Sequence, residues 1–134
     1  MNRLRTPALA ACAALLTFAG CGGGGSDKED VEEVVREVTQ ATSESDGEKF
    51  CGLLTEQLLE QSTGAEGDKA EDACRKQIDA RKKTSLKVTK ITKTEIDGDR
   101  ATVTAELEMS GRRRPQVFNL KKEDGDFKLT AAKD

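Results

Sequence analysis

The spacing of apolar residues changes once along this chain, from three- and four-residue steps to strict alternation, and that change confines it to an α+β architecture. Val31, Val34, Val35, Val38 and Ala41 fall on one side of a helix, with Glu32, Glu33, Arg36 and Glu37 opposite. Ser26 followed by Glu29 has the form of a capping box, and Asp27 and Asp30 suit the positive end of a helix dipole. Residues 43–47 break the pattern. A second helical segment then carries Phe50, Cys51, Leu54 and Leu58 on one side, with Ser45 and Glu48 placed to cap its start and Thr55 placed to interrupt it. Asp68 and Glu71 open a third helix, in which Cys74 and Ile78 share a face.

Beyond these helices the period becomes two. Ala101, Val103, Ala105, Leu107 and Met109 alternate with Thr102, Thr104, Glu106 and Glu108. The threonine-rich run 86–96 precedes them across Asp97-Gly98-Asp99, a tight-hairpin signal. Ile91 falls out of step with Leu86 and Val88, which predicts a bulge near Lys90. A third strand with Val117, Phe118 and Leu120 follows a turn around Gly111, and Pro115 predicts that it starts late or lies at an edge. Asp124-Gly125 turns into a last strand with Phe127, Leu129 and Ala131. The expectation is three helices followed by a four-stranded antiparallel meander, packed as two layers.

The first 25 residues are an address rather than a fold. Arg3 and Arg5 precede the apolar stretch 8–18, the small pair Ala19-Gly20, then Cys21 and four glycines. That order reads as a secretory signal, and its apolar run is well short of the roughly 20 residues a spanning helix needs. Phe18-Ala19-Gly20-Cys21 resembles the bacterial lipobox, with phenylalanine where leucine is usual. Ordinary cleavage, releasing a soluble protein, is the alternative. Each buried methylene contributes about 0.8 kcal/mol, so the two or three acyl chains of a lipoprotein cysteine hold durably. The expected organisation is a lipoprotein signal peptide (1–20), a lipidated Cys21 with a glycine-rich linker (21–26) and one domain (27–134). The protein is then extracytoplasmic and lipid-anchored to the bacterial cell membrane.

Removing residues 1–20, which carry two arginines and no acid, moves the formal charge from −3 to −5. An acidic balance outside the cytoplasm gives no case for nucleic acid as a partner. Phe50, Phe118 and Phe127 are the remaining aromatics, and the chain has no Trp, Tyr or His. So small and aliphatic a core calls for a covalent staple. With Cys12 leaving in the signal and Cys21 taken by lipid, Cys51 and Cys74 remain, and in an oxidising compartment they most simply pair. Two buried free thiols are the alternative. A metal centre is not expected, since two thiols without histidine do not complete a coordination shell.

The acidic helix from Val31, the Ser45-Asp46-Gly47 turn and Phe50-Cys51-Gly52-Leu53-Leu54-Thr55 resemble the opening of small bacterial lipoproteins with a nuclear-transport-factor-2-like domain. Cys74 fits the second cysteine common in that family, and residues 97–101 and 124–129 resemble its sheet. The resemblance implies a cone-shaped α+β fold whose curved sheet wraps the first helix. It does not imply an activity, because the fold hosts isomerases, dehydratases, cyclases and non-enzymatic modules.

Enzymes of that family typically place an Asp or His base and a Tyr or His partner inside the cone. Without His or Tyr, neither constellation maps onto any position of this chain. Glu106 and Glu108 are expected on a solvent-facing side of the second strand, without the displaced pKa that acid–base work needs. No histidine stands ready to activate a serine or threonine. The expectation is a non-enzymatic binding domain without cofactors, meeting an envelope protein partner or a small hydrophobic ligand. A remote alternative is a carboxylate-based isomerase or lyase.

If the cone interior is open, its candidate lining is Val34, Val38, Leu54, Ala101, Val103, Ala105, Leu107 and Met109. The competing expectation is that helix side chains fill it. Arg112-Arg113-Arg114, with Lys82, Lys83, Lys87, Lys90 and Lys93, is a second candidate surface, suited to anionic lipid at about 1 kcal/mol per charge, although a solvated charged surface is the favoured expectation.

Overall fold

The computed structural model describes residues 23–130; the expected signal peptide (1–20), with Cys12, and Cys21, Gly22 and Ala131 lie outside the described residues. Four helices come first: α1 (Gly23–Glu44), α2 (Gly47–Gly52), α3 (Glu56–Thr63) and α4 (Asp68–Asp79). Four strands follow: β1 (Leu86–Asp97), β2 (Arg100–Met109), β3 (Arg112–Glu123) and β4 (Asp126–Leu129). They form one antiparallel sheet in chain order.

The helices differ from expectation at their ends. Ser26 lies inside α1, so it is not the N-cap, and Gly23 to Gly25 belong to the first turn rather than to a linker. Once the valine-bearing turns are packed, each added residue gains a hydrogen bond, and a glycine costs only about 1 kcal/mol relative to alanine. The second helical segment is two helices, giving four where three were expected. Thr55 divides it as anticipated: its backbone is extended, and its hydroxyl accepts the Leu58 N–H at 3.3 Å to cap α3. Asp46, rather than Ser45, caps α2 by accepting the Lys49 N–H at 3.0 Å. An N-cap needs extended backbone, which Asp46 has, whereas Ser45 sits at φ 57° where α1 ends.

Helices α2 and α4 approach closely. The buried Gly47 N–H donates to Asp79 Oδ1 at 2.8 Å, and a Cβ at Gly47 would lie 2.6 Å from the Arg75 carbonyl oxygen. The Cys51–Cys74 disulfide joins the same pair of helices with 6.1 Å between Cα atoms. Leu54, Leu59, Ala70 and Ile78 pack around it. The loop from Leu53 to Thr55 then binds this helical layer to the sheet. Thr55 N–H donates to the Leu129 carbonyl at 2.9 Å and Leu129 N–H to the Leu53 carbonyl at 2.8 Å, which covers the β4 edge.

Each hairpin turns in two residues. Ser110-Gly111 and Asp124-Gly125 both take positive φ throughout, the type I′ geometry that matches strand twist. The register of β1 shifts between Val88 and Lys90, as expected, and again between Ile91 and Lys93. The Thr89 and Thr92 hydroxyls donate across these bulges to the Glu106 and Thr104 carbonyls, each at 3.1 Å. Two extra residues let Leu86, Val88, Ile91, Thr94 and Ile96 oppose the inward side chains of β2 despite their irregular spacing. Strand β3 starts early, at Arg112, and contains Pro115. The edge expectation holds there, because β4 pairs only with Leu120 to Glu123 and leaves the first part of β3 unflanked.

Helix α1 lies on the concave side of the sheet. Val31 and Val35 pack on Ala101, Val103, Ala105, Leu120 and Phe127. At its start, Asp27 accepts from Lys122 Nζ at 3.1 Å, and Lys122 stands 5.0 Å over the Phe127 ring. At its end, Ser43 Oγ accepts the Leu86 N–H at 3.3 Å. The helix therefore begins beside β3 and β4 and ends at the β1 edge.

Gly47→Ala should lower stability by about 1–3 kcal/mol, since the new methyl meets backbone that cannot yield. Replacing Cys51 and Cys74 together with serine should cost about 3 kcal/mol by the chain-entropy estimate. Denaturant melts of each variant check both values; an unchanged melt for Gly47→Ala would mean that α2 and α4 are not in close contact.

Candidate functional site

Strand pairing divides every side chain of the sheet between two faces. Leu86 opposes Met109, which opposes Arg112; Val88 opposes Leu107, which opposes Arg114; Ala105 opposes Gln116. These rows, with Ala101 and Val103, make the concave face. Towards the Asp97–Arg100 turn it is filled: Ala101, Val103 and Ala105 are each no more than 4% exposed beneath Val31 and Val35. Towards the Ser110–Gly111 turn α1 has already drifted to the β1 edge. Met109 is left 51% exposed there, and Leu107 half-buried.

That uncovered end holds a recess of about 570 Å³, lined by Leu86, Leu107, Met109, Ser110, Arg112, Arg114 and Gln116. The volume lies within the range of small-molecule sites. Its floor is apolar and its β3 side is cationic. No carboxylate among the described residues lines it.

The three consecutive arginines separate by strand parity. Arg113 points to the convex face, where its Nε donates to Glu108 Oε2 at 3.2 Å. Lys87 reaches the same carboxylate at 3.3 Å. The Arg113 hydrogen bond, then that of Lys87, hold the Glu108 carboxyl below its ordinary range. Arg112 and Arg114 face the recess and have no ion-pair partner among the described residues. The basic cluster is thus not one surface: Arg113 and Lys87 share the Glu108 carboxylate on the convex face, and Lys93 pairs with Glu95 at 2.9 Å. Glu106 and Glu108 lie on the convex face as expected, but half-buried rather than open to solvent. At Glu108 the paired Lys87 and Arg113 side chains supply the cover.

The eight residues expected to line a cavity are dispersed. Ala101, Val103 and Ala105 belong to the filled core, whereas Leu107 and Met109 reach the recess. Val38 is buried on α1, and Leu54 lies in the disulfide cluster. Val34 borders a separate hollow of about 330 Å³ with Asp30, Glu33, Glu37 and Asp126 around it. Arg112, Arg114, Gln116 and Leu86 join the recess without having been singled out for it. Counting alternate residues outward from the Ser110–Gly111 turn would have found the two arginines.

No protein-family model matches the chain, and no curated protein matches it. Solved structures do. A function-unknown protein from Mycobacterium tuberculosis superposes with a TM-score of 0.56 at 21% identity, covering 78% of this chain and 72% of that one. A Campylobacter jejuni protein described as an NTF2-like transpeptidase gives 0.52 at 11% identity, over 77% and 99% of the two chains. An NTF2-like protein of unknown function from Shewanella baltica gives 0.51 at 15% identity, over 78% and 90%. The fold is nuclear-transport-factor-2-like. At these identities the likeness is one of fold, and the chemistry of this chain rests on its own recess.

The Glu108 contacts predict a pH signature. A carboxyl held low in the folded state stabilises above its unfolded pKa and ceases to as the pH falls through the folded value. Glu108→Gln should therefore melt below the native chain at pH 7, and the difference should shrink as the pH falls below the ordinary glutamate value of about 4.3. A constant difference across that range would contradict the pairing.

Proposed function

We propose that this chain is a membrane-anchored extracytoplasmic lipoprotein whose domain is a non-enzymatic binding module, with the recess at the open end of the cone as its working surface. The recess itself carries the reading: an apolar floor and, among the described residues, unpaired cationic side chains and no lining carboxylate suit retention of a ligand rather than proton transfer. The filled core beneath α1 argues against a ligand held deep in the cone. Among the described residues no helix is long and apolar enough to cross a membrane, so in this reading the acyl chains on Cys21 are the anchor. Because α1 begins at Gly23, the lipid and the helix are nearly contiguous. The recess lies near the other end of that 22-residue helix, about 30 Å along it.

Two measurements test the two halves. Intact mass of the membrane-extracted protein should exceed the polypeptide mass from Cys21 by a diacylglyceryl group, and Cys21→Ser should move the protein to the soluble fraction; an unmodified Cys21 would refute the anchor. For the binding half, N-phenyl-1-naphthylamine should fluoresce with the Cys21→Ser chain. Met109→Glu, at an exposed position where stability changes by no more than about 0.5 kcal/mol, should abolish that signal. Absence of binding, or binding indifferent to Met109, would sink the recess as the working surface.

A further inference from the structure

The recess also carries information about its ligand, and this step rests on the proposed reading of the open end as a binding surface. Its lining is ordered across the strands rather than along them. Leu86 on β1 and Met109 on β2 continue to Arg112 on β3, and Leu107 continues to Arg114. Strand spacing puts the β3 side chains about 10 Å from those of β1. Anything lying across this surface meets hydrocarbon over two strands and guanidinium groups at the third.

Charge settles the polarity of the far end. Arg112 and Arg114 stand two residues apart on one strand face, about 7 Å along it, close enough for both long side chains to meet one small anion. Neither has an ion-pair partner among the described residues, whereas Arg113 between them is committed to Glu108 on the other face. Two unneutralised guanidiniums in a domain of net negative charge oppose a cationic ligand, and a neutral ligand leaves them without partners. A carboxylate or phosphate gains charge-assisted, fork-shaped hydrogen bonds from both. The Gln116 amide and the Ser110 hydroxyl border the same recess and add neutral donors.

We infer that the open end of the cone binds a monomeric anionic amphiphile, with its apolar body across Leu86, Leu107 and Met109 and its carboxylate or phosphate head on Arg112 and Arg114. The ligand is a short-chain molecule taken from solution, not the face of a bilayer. The recess has a floor and one cationic side, and Lys87, Lys90 and Lys93, opposite Glu108, Glu106 and Thr104, lie on the convex face and do not extend that side.

The test is calorimetric titration of the full chain carrying Cys21→Ser with decanoate, decyl phosphate, decanol and decyltrimethylammonium. Decanoate and decyl phosphate should bind at one per chain, at least about tenfold more tightly than decanol, with the cation unbound. Arg112→Gln and Arg114→Gln should each weaken decanoate by roughly tenfold and leave decanol unchanged. Arg113→Gln removes the same charge from the convex face and should change neither. Equal binding of decanol and decanoate would overturn the anionic head while leaving the recess as a binding surface. Failure of all four ligands would overturn both. Sedimentation with phosphatidylglycerol vesicles separates the sources: capture by vesicles without decanoate binding would show adsorption to a bilayer and refute the inference.

Discussion

The structure depends on one packing contact, the valine stripe of α1 seated on the alanine-rich row of β2. Val31 and Val35 are at most 1% exposed, and Ala101, Val103 and Ala105 beneath them at most 4%. Alanine at two of those three positions lets a helix come close to the sheet without colliding with larger side chains. The β1 bulges bring Ile91, Thr94 and Ile96 onto the same side. Burial of this face supplies the main apolar stabilisation available to a domain without Trp or Tyr. The disulfide cluster is a second, separate core that holds α2 and α4 together. The two are joined at Leu129, which pairs with the Leu53–Thr55 loop.

The same contact creates the recess. A straight helix cannot cover a whole four-stranded sheet, and α1 is fixed at Asp27 to β3 and at Ser43 to β1. Its path leaves the far ends of β2 and β3 bare. Strand parity then decides what is displayed there, sending Arg113 to a carboxylate on the convex face and leaving Arg112 and Arg114 over Met109 and Leu107. Core, hydrocarbon floor and cationic side are consequences of one geometry.

Much of this was legible in the sequence where local chemistry decides. The valines of α1, the alternation of β2, the Asp-Gly turns and Thr55 as an interruption follow from patterns a few residues long, and the Cys51–Cys74 pairing from the cysteine count. Caps were less legible because Ser45 and Asp46 have equal chemistry, and only the backbone entering α2 chooses between them. The second bulge in β1 was hidden because threonine serves equally well on either face. The early start of β3 was hidden by Pro115, which is tolerated because β4 is too short to flank it. The recess itself was invisible for a more general reason. Whether Leu107 and Met109 are core or surface depends on where α1 leaves the sheet, and no local pattern encodes that path.

The most direct measurement is a methyl-resolved NMR titration of the Cys21→Ser chain with decanoate, reading inward positions of the sheet one by one. Leu86, Leu107 and Met109 methyls should shift in step with binding, while Val35, Val103 and Ala105 stay still, because the core beneath α1 is already filled. Shifts at Val103 and Ala105, or no shifts at Leu107 and Met109, would contradict the account.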